Sequence, residues 1–63
     1  MVQQFITKLD NIEINRKLQA VNQSPGLIIR LTNTTESWII IIDGNDSDVE
    51  FVIEQLISLG IIT

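Results

Sequence analysis

The side chains with the most chemical potential lie between Asp43 and Glu54. The stretch DGNDSDVE, residues 43–50, holds four acids, and Asn45 and Ser47 add two more side-chain oxygens. Hard cations such as calcium take ligands of this kind. A calcium loop of the EF-hand type places oxygens at positions 1, 3 and 5 and closes with a bidentate Glu at position 12. Counted from Asp43, those positions are Asp43, Asn45, Ser47 and Glu54. Two departures weigh against that chemistry. The sixth position, where Gly makes the sharp turn, is Asp48, and the eighth, ordinarily apolar, is Glu50. A helical apolar stripe also begins at Val49, which would straighten the second half of the loop.

The same residues fit a helix start better. Ser47-x-x-Glu50 has the spacing of a capping box, with Ser47 and Glu50 as the reciprocal pair. Asp48 and Glu50 then lie in the first turn, where negative charge complements the helix dipole. Asp43-Gly44-Asn45 reads as the turn leaving a strand. No dedicated metal ligand and no cofactor is assigned. A weak divalent-cation module using residues 43–54 stands as an alternative.

Other catalytic chemistry is thin. The 63 residues contain no Cys and no His, so thiolate and imidazole chemistry is excluded. The three Gly are isolated, and no phosphate-cradling loop of the GxxxxGK[ST] or GxGxxG kind exists. Paired carboxylates can hydrolyse glycosides, but so short a chain hardly builds a cleft around them. The expectation is a non-enzymatic protein with no catalytic residues.

Charge is divided unevenly. Residues 1–32 hold all four bases and two of the eight acids, whereas residues 33–63 hold six acids and no base. The net charge of −4 makes phosphate neutralisation a weak basis for affinity. Nucleic-acid binding through Arg16, Lys17 and Arg30 is therefore only a second alternative. No basic segment followed by an apolar run opens the chain, and its longest apolar run is Trp38 to Ile42, far below the ~20 residues of a membrane span. These features lead us to expect a cytoplasmic protein that meets neither membrane nor nucleic acid.

The elements that must position these groups follow from periodicity. Val49, Val52, Ile53, Leu56 and Ile57 repeat at helical spacing, and Gly60 is a stop, so residues 47–59 read as an amphipathic helix. Residues 27–32 and 38–42 are β-branched runs separated by turn residues, an antiparallel hairpin. The first 22 residues carry two stripes. Val2, Phe5, Ile6, Leu9 and Ile12 form one, and Ile14, Leu18 and Val21 form another, rotated by about 120–140°. A helix through the first stripe gives a single α+β domain over residues 1–63 in the order α-β-β-α. The alternative is the ferredoxin-like order βαββαβ, with 2–7 and 61–63 as strands and a helix capped by Asn11.

The hairpin has a consequence for function. A four-residue turn that pairs Thr32 with Ser37 places Leu27, Ile29, Leu31, Trp38, Ile40 and Ile42 on one face. Ile28, Arg30, Thr32, Ser37, Ile39 and Ile41 then share the other, where an antiparallel sheet is normally polar. Ile28, Arg30, Ile39 and Ile41 are accordingly the first candidate protein interface. Phe51, beside Glu54 on the polar side of the last helix, is the second. A domain this small buries only about 60% of its unfolded surface, and without Cys or His a partner chain is the staple that remains. A homodimer is expected, with a further protein of basic or mixed surface meeting Asp46, Asp48, Glu50, Phe51 and Glu54. An adaptor, an assembly subunit and an inhibitor all suit this reading.

Overall fold

The computed structural model describes residues 1–22 and 24–62. Five elements follow in order: β1 (Val2–Thr7), α1 (Asn11–Leu18), β2 (Ile28–Asn33), β3 (Trp38–Asp43) and α2 (Asp46–Ser58). The class is α+β. The strands form one antiparallel sheet in the order β1-β3-β2, so β3 is central and is paired along both edges. β1 and β2 therefore run parallel to each other on either side of β3, a split βαβ unit.

Residues 2–7 are a strand, as in the alternative order, and not the start of a long helix. The helical stripe through Val2, Phe5 and Ile6 is real in the sequence, but a stronger demand overrides it. β3 reads Trp-Ile-Ile-Ile-Ile-Asp, and one of its edges would stand open if only the hairpin formed. β1 closes that edge in the register Val2↔Asp43 to Thr7↔Trp38. The hazard of a free isoleucine edge is thus removed within the chain. Helix α1 then begins later and carries the second stripe, with Ile14 fully buried and Leu18 partly so. Its N-cap is Asp10, not Asn11: the Asp10 side chain accepts from the Glu13 N–H at 2.9 Å. Ile61 and Ile62 form no strand, and Thr63 lies outside the described residues.

The hairpin turn sits one residue later on each strand than expected. Thr32 pairs with Ile39 and Asn33 with Trp38. The side chain of Thr34 closes the loop, donating to the Ser37 carbonyl and accepting from the Ser37 N–H, both at 3.0 Å. A shift of two in register preserves the facing of every side chain, so both hairpin faces keep their expected membership.

Both helices lie against the face that carries Phe5, Ile29, Leu31, Trp38, Ile40 and Ile42. Ile14, Ile40, Ile42, Val49 and Leu56 are wholly excluded from solvent. Polar brackets tie the α1–β2 connection to α2. Gln55 accepts from the Asn22 N–H at 3.0 Å and donates to the Asn22 carbonyl at 3.2 Å, and the Ser24 hydroxyl donates to Asp48 at 3.0 Å. At the β3–α2 turn, a Cβ on Gly44 would lie 2.8 Å from Leu27 Cδ1, so a larger residue here would push the Leu27 side chain aside.

The end of α2 is closed by a Schellman motif. The Ile61 N–H reaches the Leu56 carbonyl at 2.9 Å and the Gly60 N–H reaches that of Ile57 at 3.0 Å. Gly60 turns the chain at φ +76°, and Leu56 and Ile61 are both buried. Lys17 donates to the Leu59 carbonyl at 3.0 Å, linking α1 to the same terminus. Gly60→Ala is expected to destabilise the fold by about 1–2 kcal/mol, because a Cβ is strained at this φ. Thermal melting should show a loss of roughly 4–16 °C for a domain of this size.

Candidate functional site

The sheet face turned away from the helices is the most unusual surface of the molecule. The two registers arrange its residues as three rows across β1, β3 and β2: Val2, Asp43 and Ile28; Gln4, Ile41 and Arg30; Ile6, Ile39 and Thr32. Five of these nine side chains are apolar, where an antiparallel sheet facing water is normally polar. Ile6 is 70% exposed, Val2 56% and Ile28 48%. Ile39 and Ile41, flanked by their strand neighbours, are half-buried, and Arg30 and Asp43 are exposed.

The sequence-derived candidates Ile28, Arg30, Ile39 and Ile41 are brought together on this face. Sequence reasoning missed Val2 and Ile6, because helical spacing assigned them to a helix stripe. Their spacing from Gln4 (positions 2, 4 and 6) was the signal for one face of a strand.

Phe51 and Glu54 lie elsewhere, on the exposed side of α2, and Phe51 is 52% exposed. Ile57, placed by periodicity in the buried stripe, is also half-exposed at 50%. The apolar stripe is therefore narrower than expected and centres on Val49, Val52 and Leu56.

The acidic stretch is resolved as a helix start, with a different cap from the one expected. Asn45, not Ser47, is the N-cap: its Oδ1 accepts from the Asp48 N–H at 2.9 Å. Ser47 lies in the first turn and donates to the same oxygen at 3.1 Å, while Glu50 is exposed and makes no capping bond. Asp48 accepts from Asn45 Nδ2 at 2.8 Å and from Ser24. The cap moved because Asp43 ends the strand and Gly44 alone makes the turn, leaving Asn45 as the first residue able to reach back to the helix amides. Asn45 Oδ1 and Asp48 are thus engaged within the protein. Among the described residues, no three acidic side chains converge as metal ligands do.

The bases do not gather either. Arg16 pairs with Glu13 on α1, Lys17 is held on the end of α2, and Arg30 stands on the opposite side of the sheet. Grooves among the described residues offer no catalytic lining. One, between α1 and β2, has no ionisable lining residue, and another, beside the end of β1, has Lys8 alone. No helix among the described residues is long and apolar enough to cross a membrane.

Comparison with protein-family models, with curated proteins and with solved structures gives no match to this chain.

The cap assignment has a direct check. Asn45→Ala is expected to cost about 1 kcal/mol in chemical denaturation. Glu50→Ala should stay within about 0.5 kcal/mol of the parent. A larger loss at Glu50 than at Asn45 would contradict the geometry.

Proposed function

We propose that this protein is a small non-enzymatic interaction module that self-associates through the outer face of its sheet. One observation carries the reading. Both helices cover the same side of the sheet, leaving Val2, Ile6, Ile28, Ile39 and Ile41 uncovered on the other. Exposed apolar patches rimmed by polar groups mark contact sites in soluble proteins. A symmetric pair needs only one such surface, because the patch serves both partners. Burying a Val or Ile side chain fully is worth about 1.5–3 kcal/mol gross; these five are already partly buried, so covering them gains only a part of that and offsets a modest share of the association entropy.

Phe51 and Glu54 on α2 form a second contact surface in this reading, facing away from the first. They suit a protein with a basic or mixed surface, since Asp46, Glu50 and Glu54 are all exposed on the same helix. A module that pairs through its sheet and presents two such helices acts as an adaptor or assembly subunit. No cofactor enters this reading.

Light scattering behind a sizing column tests the proposal. The expected result is a mass that rises from one chain toward two as concentration increases. Ile39→Asp should abolish the rise, and Ile6→Gln, at the margin of the face, should weaken it with little change in melting temperature. A cooperatively melting monomer at every concentration would end the proposal for the sheet face.

A further inference from the structure

The nine-residue grid also specifies how a second copy fits, an inference that rests on the self-association proposed above. Strands are spaced by about 4.8 Å, and same-face residues along a strand by about 6.7 Å. Arg30 therefore lies about 5 Å from Ile41 across the sheet, and Asp43 about 7 Å from Ile41 along β3. The two charges stand in perpendicular directions from one central isoleucine, at distances that differ by about 2 Å, within the reach of the long Arg30 side chain. Both are exposed, and neither forms an ion pair within the described residues.

Face-to-face stacking of two copies about a two-fold axis through Ile41 has few distinct settings. An axis along the strands puts Asp43 on Asp43 of the second copy. An axis across the strands puts Arg30 on Arg30. Like charges brought together in this way are strongly unfavourable at an interface. Of the two diagonal axes, one places Arg30 over Ile39 and Asp43 over Gln4, leaving both charges unpaired. The other places Arg30 over Asp43 of the second copy and, by symmetry, Asp43 over Arg30. It also stacks Ile41, Ile28 and Ile6 each on its own counterpart. Strands of the two sheets then cross at near right angles, an established class of sheet packing.

We infer that two copies of this chain stack through their outer sheet faces with strands nearly perpendicular, centred on Ile41 and locked by two reciprocal Arg30–Asp43 ion pairs. The grid spans roughly 14 Å by 20 Å. That is small beside the ~800 Å² per partner of a standard stable interface. The dimer is accordingly weak and reversible, with a Kd on the order of micromolar or above.

Arg30→Asp and Asp43→Arg test the arrangement by sedimentation velocity, alone and as an equimolar mixture. Each variant alone sets like charges against each other twice and should dimerise about tenfold or more weakly than the parent. In the mixture, one chain carries Asp at both positions and the other Arg at both, so both contacts are restored between chains but not within either. A 1:1 heterodimer with near-parental affinity supports the inference. Both variants remain net acidic, so bulk attraction does not account for recovery. Far-UV circular dichroism of each variant, expected to match the parent, checks that it is folded. Singles that dimerise as the parent does, or a mixture that does not recover, would overturn this geometry while leaving self-association intact. Pairing through the β1 edge, for example, would be indifferent to both charges. A parent chain that stays monomeric to ~1 mM would remove both proposals.

Discussion

Trp38–Asp43 is hydrogen-bonded along both of its edges, and the placement of every other element follows from that. A strand of four consecutive isoleucines has an apolar side chain on each face and a ladder of amides on each edge. Its inner residues, Ile40 and Ile42, are fully buried beneath the helices. Its edges are satisfied by β1 and β2. Because β1 and β2 flank one antiparallel neighbour, they must run in the same direction, and the chain must cross between them. Helix α1 and the connection after it make that crossing over the inner face. Their apolar residues Ile14 and Val21 join the core there.

Helix α2 completes the layer, and many of the side-chain hydrogen bonds among the described residues fix its position. Asn45 and Asp48 set its start, while Gly60 and Lys17 close its end. Gln55 pairs with both backbone groups of Asn22, as an extra strand would. These hydrogen bonds connect segments more than thirty residues apart in the case of Gln55 and Lys17. Each such bond contributes about 1 kcal/mol net, a substantial share in a domain with so small a core. The acidic stretch that resembles a cation loop is, in its tertiary setting, part of this framework.

Size explains the open face. Three strands are about 14 Å across, and two helices of about 10 Å diameter cover that width once. The two helices, of 8 and 13 residues, leave nothing for the opposite side. Larger α/β proteins bury both faces of such strands with further helices. Here the apolar outer face persists on a chain with one helical layer, and a second copy is the covering we propose.

Local sequence determined the parts of this protein in which neighbouring residues settle the outcome. The stripe from Val49 to Leu56 and the stop at Gly60 specify α2, and the β-branched runs around a turn specify the hairpin. Alternation, together with a four-residue turn, assigns Ile28, Arg30, Ile39 and Ile41 to one face, and a register shift of two leaves that assignment unchanged. The tertiary structure decided what depends on distant partners. Val2, Phe5 and Ile6 satisfy a helical period as well as a strand. The open edge of β3, some thirty-five residues away in the register, selects the strand. The helix cap passed from Ser47 to Asn45 because the length of β3 and the tight turn at Gly44 against Leu27 set where the helix amides begin. Gln55 looks like part of a solvated helix face in the sequence, and the returning loop gives it Asn22 as a partner and adds Ser24 to the local partner Asn45 of Asp48. A short-range pattern fixes which side chains share a face; long-range pairing fixes what that face meets.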